Sequence, residues 1–403
     1  MSEISHPLIT RLKVKNYRSL ADIDIAFTPL TILVGENGSG KSNTIDVLRF
    51  VRDMLTDGFE LALLKRGGVD EVRCWEASPT EEITIHLYFE GPSFKGDYGL
   101  AFGFGATRSN LDPCLKSEKL FLTTPGQEDM LLEAVNGKLV RYPEQLGVMP
   151  MGHPFNEYHA KPRYQTTPFL SQLAVFSERI EAVRHFLASM NFYDISPERL
   201  RSPQKVYLPF PLREDGANLA TTLRELKRGD VASRIVSALE VVVKGFRDIS
   251  VEQTAFFDSL ATKLHYRVNG RCRTVDLSHE ADGTIRLLTI LTALYQNRHL
   301  SPLVIEEPEK ALYLNGLAVC SDALKEAAIR YQVFVTTHSP YLIDDYPVDS
   351  FLVVNKDANA GVTKIGPIIE DQRETVEEEL FSLGELMQME GLHREGASLR
   401  AEV

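Results

Sequence analysis

The sequence predicts an α/β fold whose central sheet is assembled from the two ends of the chain, with β-rich and helical stretches between them. Three observations carry this. Gly35-Glu36-Asn37-Gly38-Ser39-Gly40-Lys41-Ser42 matches G-x-x-x-x-G-K-[ST] and lies between a strand-like run and a helix-like run. Far downstream, Leu303-Val304-Ile305 runs into Glu306-Glu307-Pro308-Glu309. A further apolar run, Val333-Phe334-Val335-Thr336, leads into His338-Ser339-Pro340. Short apolar runs of this kind are what buried parallel strands look like.

In chain order, residues 8–27 alternate like two antiparallel strands and feed the strand Leu30-Thr31-Ile32-Leu33-Val34. After the glycine loop, Ile45, Leu48, Val51, Met54 and Leu55 recur at helical spacing up to Asp57-Gly58. Arg66-Gly67-Gly68 marks a turn, and residues 83–89 and 98–104 open a β-rich region punctuated by Gly and Pro. Residues 149–167 show no periodicity and read as a loop. Leu173, Phe176, Ile180, Val183 and Leu187 keep one helical face, and Leu219, Leu223, Leu226, Val231, Ile235 and Leu239 indicate further helices. Residues 251–268 turn strand-like, and Asn269-Gly270 is a hairpin signal. From Leu277 the α/β pattern returns: a helix over 284–295, the acidic strand, a helix over 317–328, the strand at Val333, and a hairpin-like pair at 351–355 and 361–368. The expected divisions are 1–105, 106–170 (β-rich with loop), 171–250 (helical insertion), 251–368, and an acidic helical tail over 369–403.

The residue types in the loop fit a triphosphate. Glycines let backbone N–H groups curl around phosphate oxygens, and the next helix turns its positive end toward them. Lys41 would reach the terminal phosphates and the Ser42 hydroxyl would ligate Mg²⁺. Hydrolysis also needs an acid for the metal and a base for water. Glu306 and Glu307 are the candidates, and strand alternation would point them in opposite directions. The alternative is that these acids are the polar start of a helix. Asp344 and Asp345 read as loop acids.

Composition excludes several classes. Charged residues at 25% and hydrophobic ones at 43% argue against disorder, and no apolar run reaches the roughly 18 residues of a membrane span. Residues 1–7 are polar, so no signal peptide is indicated. Cys74, Cys114, Cys272 and Cys320 form no C-x-x-C pair, and a cytoplasmic protein without a zinc site or disulfide framework is expected. A net charge of −12 weighs against general binding of polyanions. Local basic candidates are Arg199, Arg201 and Lys205, then Arg224, Lys227 and Arg228, then Arg271 and Arg273, with solvated faces the favoured reading of each.

Taken together, residues 12–20, Gly35 to Asn43, Asp282-Gly283-Thr284, Ile305 to Glu309 and Thr336-Thr337-His338-Ser339-Pro340 resemble the ABC-type ATPases of the SMC, RecF and OLD group. The resemblance implies a P-loop ABC-type ATPase head with a mixed sheet, an antiparallel β subdomain and an inserted helical region. It implies ATP and Mg²⁺ as cofactors, and two heads that sandwich ATP, each site using one head's phosphate loop and the other's signature turn. By position, Gly35, Asn37, Gly38, Ser39, Gly40, Lys41, Ser42 and Asn43 bind nucleotide. Ser42 and Glu306 serve the metal, Glu307 is the base, and His338 is the switch histidine. Ala281, Asp282 and Gly283 form the signature, and Asn16, Tyr17, Arg18 and Ser19 approach the base of the nucleotide. Ala281 stands where the family usually has serine, unless Ser278 takes over. Tyr313-Leu314 replaces the usual His-Pro, and no glutamine stands between Asn43 and Gly126 for the usual Q-loop. The implied biology is a homodimer or higher homo-oligomer in a bacterial defence module beside a separately encoded effector. With only about sixty residues after His338, no nuclease domain of the OLD kind is expected, and any nuclease activity is expected from another chain. Nucleic acid is a candidate partner and a membrane is not. A RecF-like repair ATPase and a nucleotide-sensing assembly module with little hydrolysis are the alternatives.

Overall fold

The computed structural model describes residues 6–104, 113–143, 167–208, 211–227, 229–254, 259–296, 301–357 and 359–396. Of the sequence expectations, the loop at 149–166 and Arg228 fall outside them. The chain opens with the antiparallel pair β1 (Leu8–Tyr17) and β2 (Leu20–Ala26), then β3 (Leu30–Val34). Helix α1 (Lys41–Asp57) follows the glycine loop, and α2 (Phe59–Leu64) and α3 (Val69–Val72) are short. Five strands follow: β4 (Ile83–Glu90), β5 (Lys95–Phe104), β6 (Pro113–Thr123), β7 (Met130–Val135) and β8 (Lys138–Arg141). They extend the first pair into a seven-stranded antiparallel sheet of order β2-β1-β4-β5-β6-β7-β8.

The next stretch carries α4 (Phe169–Leu173), α5 (Glu178–Ala188), β9 (Asn191–Tyr193), α6 (Pro197–Leu200), β10 (Gln204–Lys205), α7 (Leu219–Leu226) and α8 (Val231–Val242). The face expected from Leu173 to Leu187 is broken. Ser177 is extended, so Phe176 sits in a 3₁₀ turn and is 41% exposed, while Ile180, Val183 and Leu187 are buried on α5. Nor is 171–250 only helical, because β9 is an edge strand of the central sheet. Strands β11 (Phe246–Gln253), β12 (Ser259–Val268) and β13 (Arg271–Asp276) then form a small antiparallel sheet with β10. The β12–β13 turn has positive φ at both Asn269 and Gly270, the geometry this dipeptide favours.

The chain returns through α9 (Asp282–Tyr295), β14 (Leu303–Glu306), α10 (Leu314–Arg330), β15 (Val333–Thr337), α11 (Pro340–Ile343), β16 (Phe351–Lys356) and β17 (Thr363–Gly366). It closes with α12 (Glu370–Glu377) and α13 (Leu383–Met389). The central sheet has the order β17-β16-β3-β15-β14-β9, parallel throughout except for β17. Alternation along its strands feeds two cores. Leu33, Val304 and Phe334 join the antiparallel sheet and α1, whereas Ile32, Val34, Ile305, Val333 and Val335 join α7, α8, α9 and α10. A sheet buried on both faces needs strands without a polar side, which is why these runs read as continuously apolar. Among the described residues no helix is long and apolar enough to cross a membrane.

One buried acid fastens the antiparallel sheet to the helices. Glu118 on β6 accepts hydrogen bonds from Tyr98 Oη at 2.7 Å, Phe169 N at 2.6 Å and Leu170 N at 2.8 Å, and burial pushes its pKa up. Glu118→Gln places an amide N–H₂ against one of these donors, so a loss of roughly 1–3 kcal/mol is expected in urea denaturation. An unchanged midpoint would remove Glu118 from the stability of this junction.

Candidate active site

Strand β3 delivers the glycine loop at the carboxyl edge of the central sheet, where α/β folds place their ligands. Gly40, at φ 113°, stands immediately before α1, and a Cβ there would lie 2.0 Å from Thr363 Oγ1. A Cβ on Gly35 would lie 2.1 Å from Val354 O. The loop therefore lies flat on β16 and β17, with Asn37 and Gly38 exposed at its crest. A buried polar chain fixes it there. Thr363 Oγ1 donates to Ser39 O at 2.8 Å, Ser19 Oγ lies 2.6 Å from Thr363 Oγ1, and Asn43 Nδ2 donates to Ser19 Oγ at 2.7 Å. The side chain of Asn43, expected among the nucleotide-binding residues, thus anchors the loop.

Lys41 is 5% exposed, and its ammonium donates to Gly35 O at 2.6 Å and Glu36 O at 2.9 Å. Burial lowers its pKa against the opposing charges of Glu307, Glu309 and Glu36. Among the described residues it makes no ion pair closer than 4.0 Å with a carboxylate, so an anion is what its charge lacks. The hydroxyl of Ser39 is buried without a hydrogen-bond partner. Both features fit a triphosphate.

Glu306 ends β14, where the Ser42 hydroxyl hydrogen-bonds it and Arg49 Nη2 donates to its Oε1 at 2.9 Å. Burial raises its pKa, and the Arg49 charge and hydrogen bond oppose that rise. The guanidinium of Arg49 lies 4.9 Å from the ring centroid of Phe192 on β9. Ser42 and Glu306 offer oxygen donors from few protein groups, the set that suits Mg²⁺.

Strand alternation does not aim Glu307, contrary to expectation. Its φ of 46° ends the strand, and its N–H donates to Thr336 O at 2.9 Å. This left-handed turn, costing roughly 1–3 kcal/mol in a non-glycine residue, turns the carboxylate toward Lys310 and to 3.5 Å from His338 Nδ1. Burial pushes the Glu307 pKa up, but the Lys310 hydrogen bond and the charges of Lys310, His338 and Lys41 prevail and hold it below the usual value. Lys41, Ser42, Glu306, Glu307 and His338 therefore meet at one sheet edge.

The turn at Ala281–Gly283, expected as the signature, is held by contacts of its own. Ala281 caps α9, and Arg201 holds the turn by donating to Ser278 O at 2.6 Å, Glu280 O at 2.8 Å and Asp282 Oδ1 at 2.5 Å. A Cβ on Gly283 would lie 2.4 Å from Ala311 O, so the turn packs on the loop that follows Glu307. Among the described residues no hydrogen bond joins Ala281–Gly283 to the phosphate loop. The Ser278 hydroxyl donates to Asp276 Oδ1 at 2.7 Å. Tyr17, expected near a nucleotide base, is fully buried with its hydroxyl on Asp46 at 2.7 Å.

Three residues of the site were not singled out from the sequence. Arg49 follows Lys41 on α1 and pairs with Glu306. Arg286, on α9, donates to the carbonyls of Glu306 at 3.1 Å and Glu307 at 2.8 Å, tying the signature helix to the acids. Glu309 lies 3.3 Å from His338 Nδ1. A lone arginine in a mostly apolar helix is the signal that marks Arg286, no such signal sets Arg49 apart on its charged helix, and Glu309 was visible in the acidic run. Of the basic candidates, Arg201 serves the signature turn and Lys227 pairs with Asp248 at 3.0 Å, while Arg199, Lys205, Arg224, Arg271 and Arg273 are exposed.

Comparison with known proteins agrees with this geometry. Residues 8–136 match the family described as "AAA ATPase domain", and residues 153–344 match "AAA domain, putative AbiEii toxin, Type IV TA system". The OLD nuclease of Thermus scotoductus is 25% identical over 87% of this chain, and the DNA replication and repair protein RecF of Corynebacterium jeikeium is 29% identical over 20% of it. The chain spans 62% of the length of the first relative and 20% of the second. An SMC head bound to the C-terminal winged-helix domain of ScpA shares the fold, with a TM-score of 0.51 at 13% identity, covering 91% of this chain and 99% of that one. These matches support an SMC/RecF/OLD-like ATPase with an SMC head-like α/β fold.

Proposed function

We propose that this chain is an ATP-hydrolysing switch that closes as a homodimer around ATP and reports its state to a partner protein. The observation that carries the reading is the meeting of Lys41, Ser42, Glu306, Glu307 and His338 at the carboxyl edge of one sheet. Lys41 and the N–H groups of the glycine loop bind and orient the terminal phosphates, and the Glu307 carboxylate takes the proton of the attacking water. His338 stands beside Glu307 to sense the terminal phosphate. Mg²⁺, held through Ser42 and Glu306, would neutralise charge on the phosphates. In a homodimer the signature turn would complete the partner's site. Its distance from hydrogen bonding with its own phosphate loop and the exposure of Tyr313 (89%) and Leu314 (63%) support that arrangement.

The route to a partner starts beside His338. Helix α11 begins two residues after it, and Gly384 N on α13 donates to Asp344 Oδ1 at 2.6 Å, just past the end of α11. The acidic tail is thus fastened to the segment that changes when the histidine moves. The family description over residues 153–344 supports a defence or toxin–antitoxin setting, with an effector as the partner. A second reading, nucleotide-gated assembly with slow turnover, is supported by Ala281 and by the engagement of the Ser278 hydroxyl with Asp276.

Light scattering with and without Mg²⁺-ATP, together with phosphate release, tests both. A rise from monomer to dimer mass with sustained release is the expected result, and dimerisation with background release selects the second reading. No ATP-dependent change in mass and no release would overturn both.

A further inference from the structure

We infer that Glu309 is a positioning residue that sets the ring orientation and the protonated nitrogen of His338. The inference rests on the reading of this site as an ATPase switch, and it concerns a residue to which that reading gives no task.

The side chain of Glu309 is 8% exposed, against 40% for His338, so the acid lies behind the histidine. Its Oε1 accepts from Thr337 Oγ1 at 2.8 Å and from His338 N at 3.1 Å, and Ser339 N donates in turn to Thr337 Oγ1 at 3.0 Å. The whole switch turn therefore hangs on one carboxylate oxygen. His338 Nδ1 lies 3.3 Å from that same oxygen. The other oxygen, Oε2, is buried with no hydrogen-bond partner, and no Lys or Arg side chain approaches within 4.0 Å among the described residues.

Bracing the turn does not explain the charge. A glutamine amide oxygen would also accept from Thr337 and from the His338 N–H, more weakly, and would avoid burying an anion to which Lys41 and Arg286 contribute charge only from beyond ion-pair distance. The nearest group that answers the charge is the imidazole. Nδ1 is itself buried without a hydrogen-bond partner, but the carboxylates of Glu309 at 3.3 Å and Glu307 at 3.5 Å lie on that side, so their charge favours a proton on Nδ1 and leaves Nε2, on the opposite side of the ring, for an incoming group. The ring is then oriented before nucleotide arrives, which lowers the cost of ordering it in the closed state.

Glu309→Gln isolates the charge, because it keeps the acceptor for the turn and replaces the second oxygen with a donor. The test is ¹⁵N NMR of the full chain labelled at histidine, without nucleotide, with the His338 resonance assigned by its loss in His338→Gln. The wild type is expected to show the Nδ1-protonated form, and Glu309→Gln a population shifted toward the Nε2-protonated form, with the Glu307 carboxylate still on the Nδ1 side. Thr337→Val, which removes a bracing hydrogen bond and keeps the charge, is expected to retain the wild-type form. In the same proteins, kcat for ATP should fall about tenfold or more in Glu309→Gln while ATP affinity stays within about twofold. An unchanged tautomer in Glu309→Gln, or the same change in Thr337→Val, overturns the inference. Because the tautomer is read without nucleotide, a failure of the ATPase reading, seen as absent ATP binding in the wild type, is a separate result.

Discussion

Lys41→Ala is expected to lose ATP binding while keeping its fold. In the free protein the ammonium is held on Gly35 O and Glu36 O, two carbonyls of the loop it serves, and among the described residues no carboxylate lies within ion-pair distance of it. That arrangement is internally satisfied but weak as charge pairing, and it leaves the cation ready for an anion. Truncation removes charge-assisted hydrogen bonds to the phosphates worth roughly 1.5–3 kcal/mol each. A rise in Kd of about 100-fold, near 2.7 kcal/mol, follows if the equivalent of one to two such bonds is lost. Calorimetric titration of ATP into both proteins measures it. The fold should persist, because Thr363, Ser19 and Asn43 anchor the loop without the lysine. A Lys41→Ala protein that binds ATP within about twofold of the wild type would break the assignment of the loop.

Much of this site was legible because the chemistry is locally encoded. The phosphate loop is eight consecutive residues with a strand before and a helix after, and Glu306 and Glu307 are neighbours at the end of an apolar run. Where the reading went astray, the cause is tertiary. Strand β9 is three residues long, too short for a period to show, and it becomes a strand only because β14 offers it an edge. Asn43 sits in the nucleotide motif, but its amide is captured by Ser19, which is itself bonded to Thr363, 344 positions away. No local pattern announces such a contact. Glu307 looked like a strand residue until its φ placed it in a turn.

The same distinction explains Arg49 and Arg286. Arg49 lies on a helix of mixed charge and Arg286 on a mostly apolar one, and each reaches a different part of the acidic segment: Arg49 the Glu306 carboxylate, Arg286 the carbonyls of Glu306 and Glu307. Together they tie the acids to the phosphate-loop helix on one side and to the signature helix on the other. Arg286 and the close approach of Gly283 to Ala311 thus connect the turn at Ala281–Gly283 to the acids. Burial lowers the pKa of Arg286, so it resides there against its own desolvation, which hydrogen bonds to the carbonyls of Ile195, Glu306 and Glu307 offset.

Glu307→Gln is expected to bind ATP normally, release phosphate at least about 100-fold more slowly, and accumulate as an ATP-bound dimer. The substitution is nearly isosteric, and the backbone turn at φ 46° is held by the N–H donated to Thr336, which does not depend on the side chain. Only the chemistry changes. The carboxylate, which the Lys310 hydrogen bond and neighbouring charges keep ionised against its burial, can take a proton from water, whereas an amide cannot. The lost ion pair with Lys310 costs little because the lysine is half exposed. With binding intact and the exit by hydrolysis closed, mass action drives the population to the ATP-bound form. Size-exclusion chromatography with Mg²⁺-ATP reads the dimer, and phosphate release reads the block. Wild-type release from Glu307→Gln would assign the base elsewhere, while slow release without a dimer would separate catalysis from head closure.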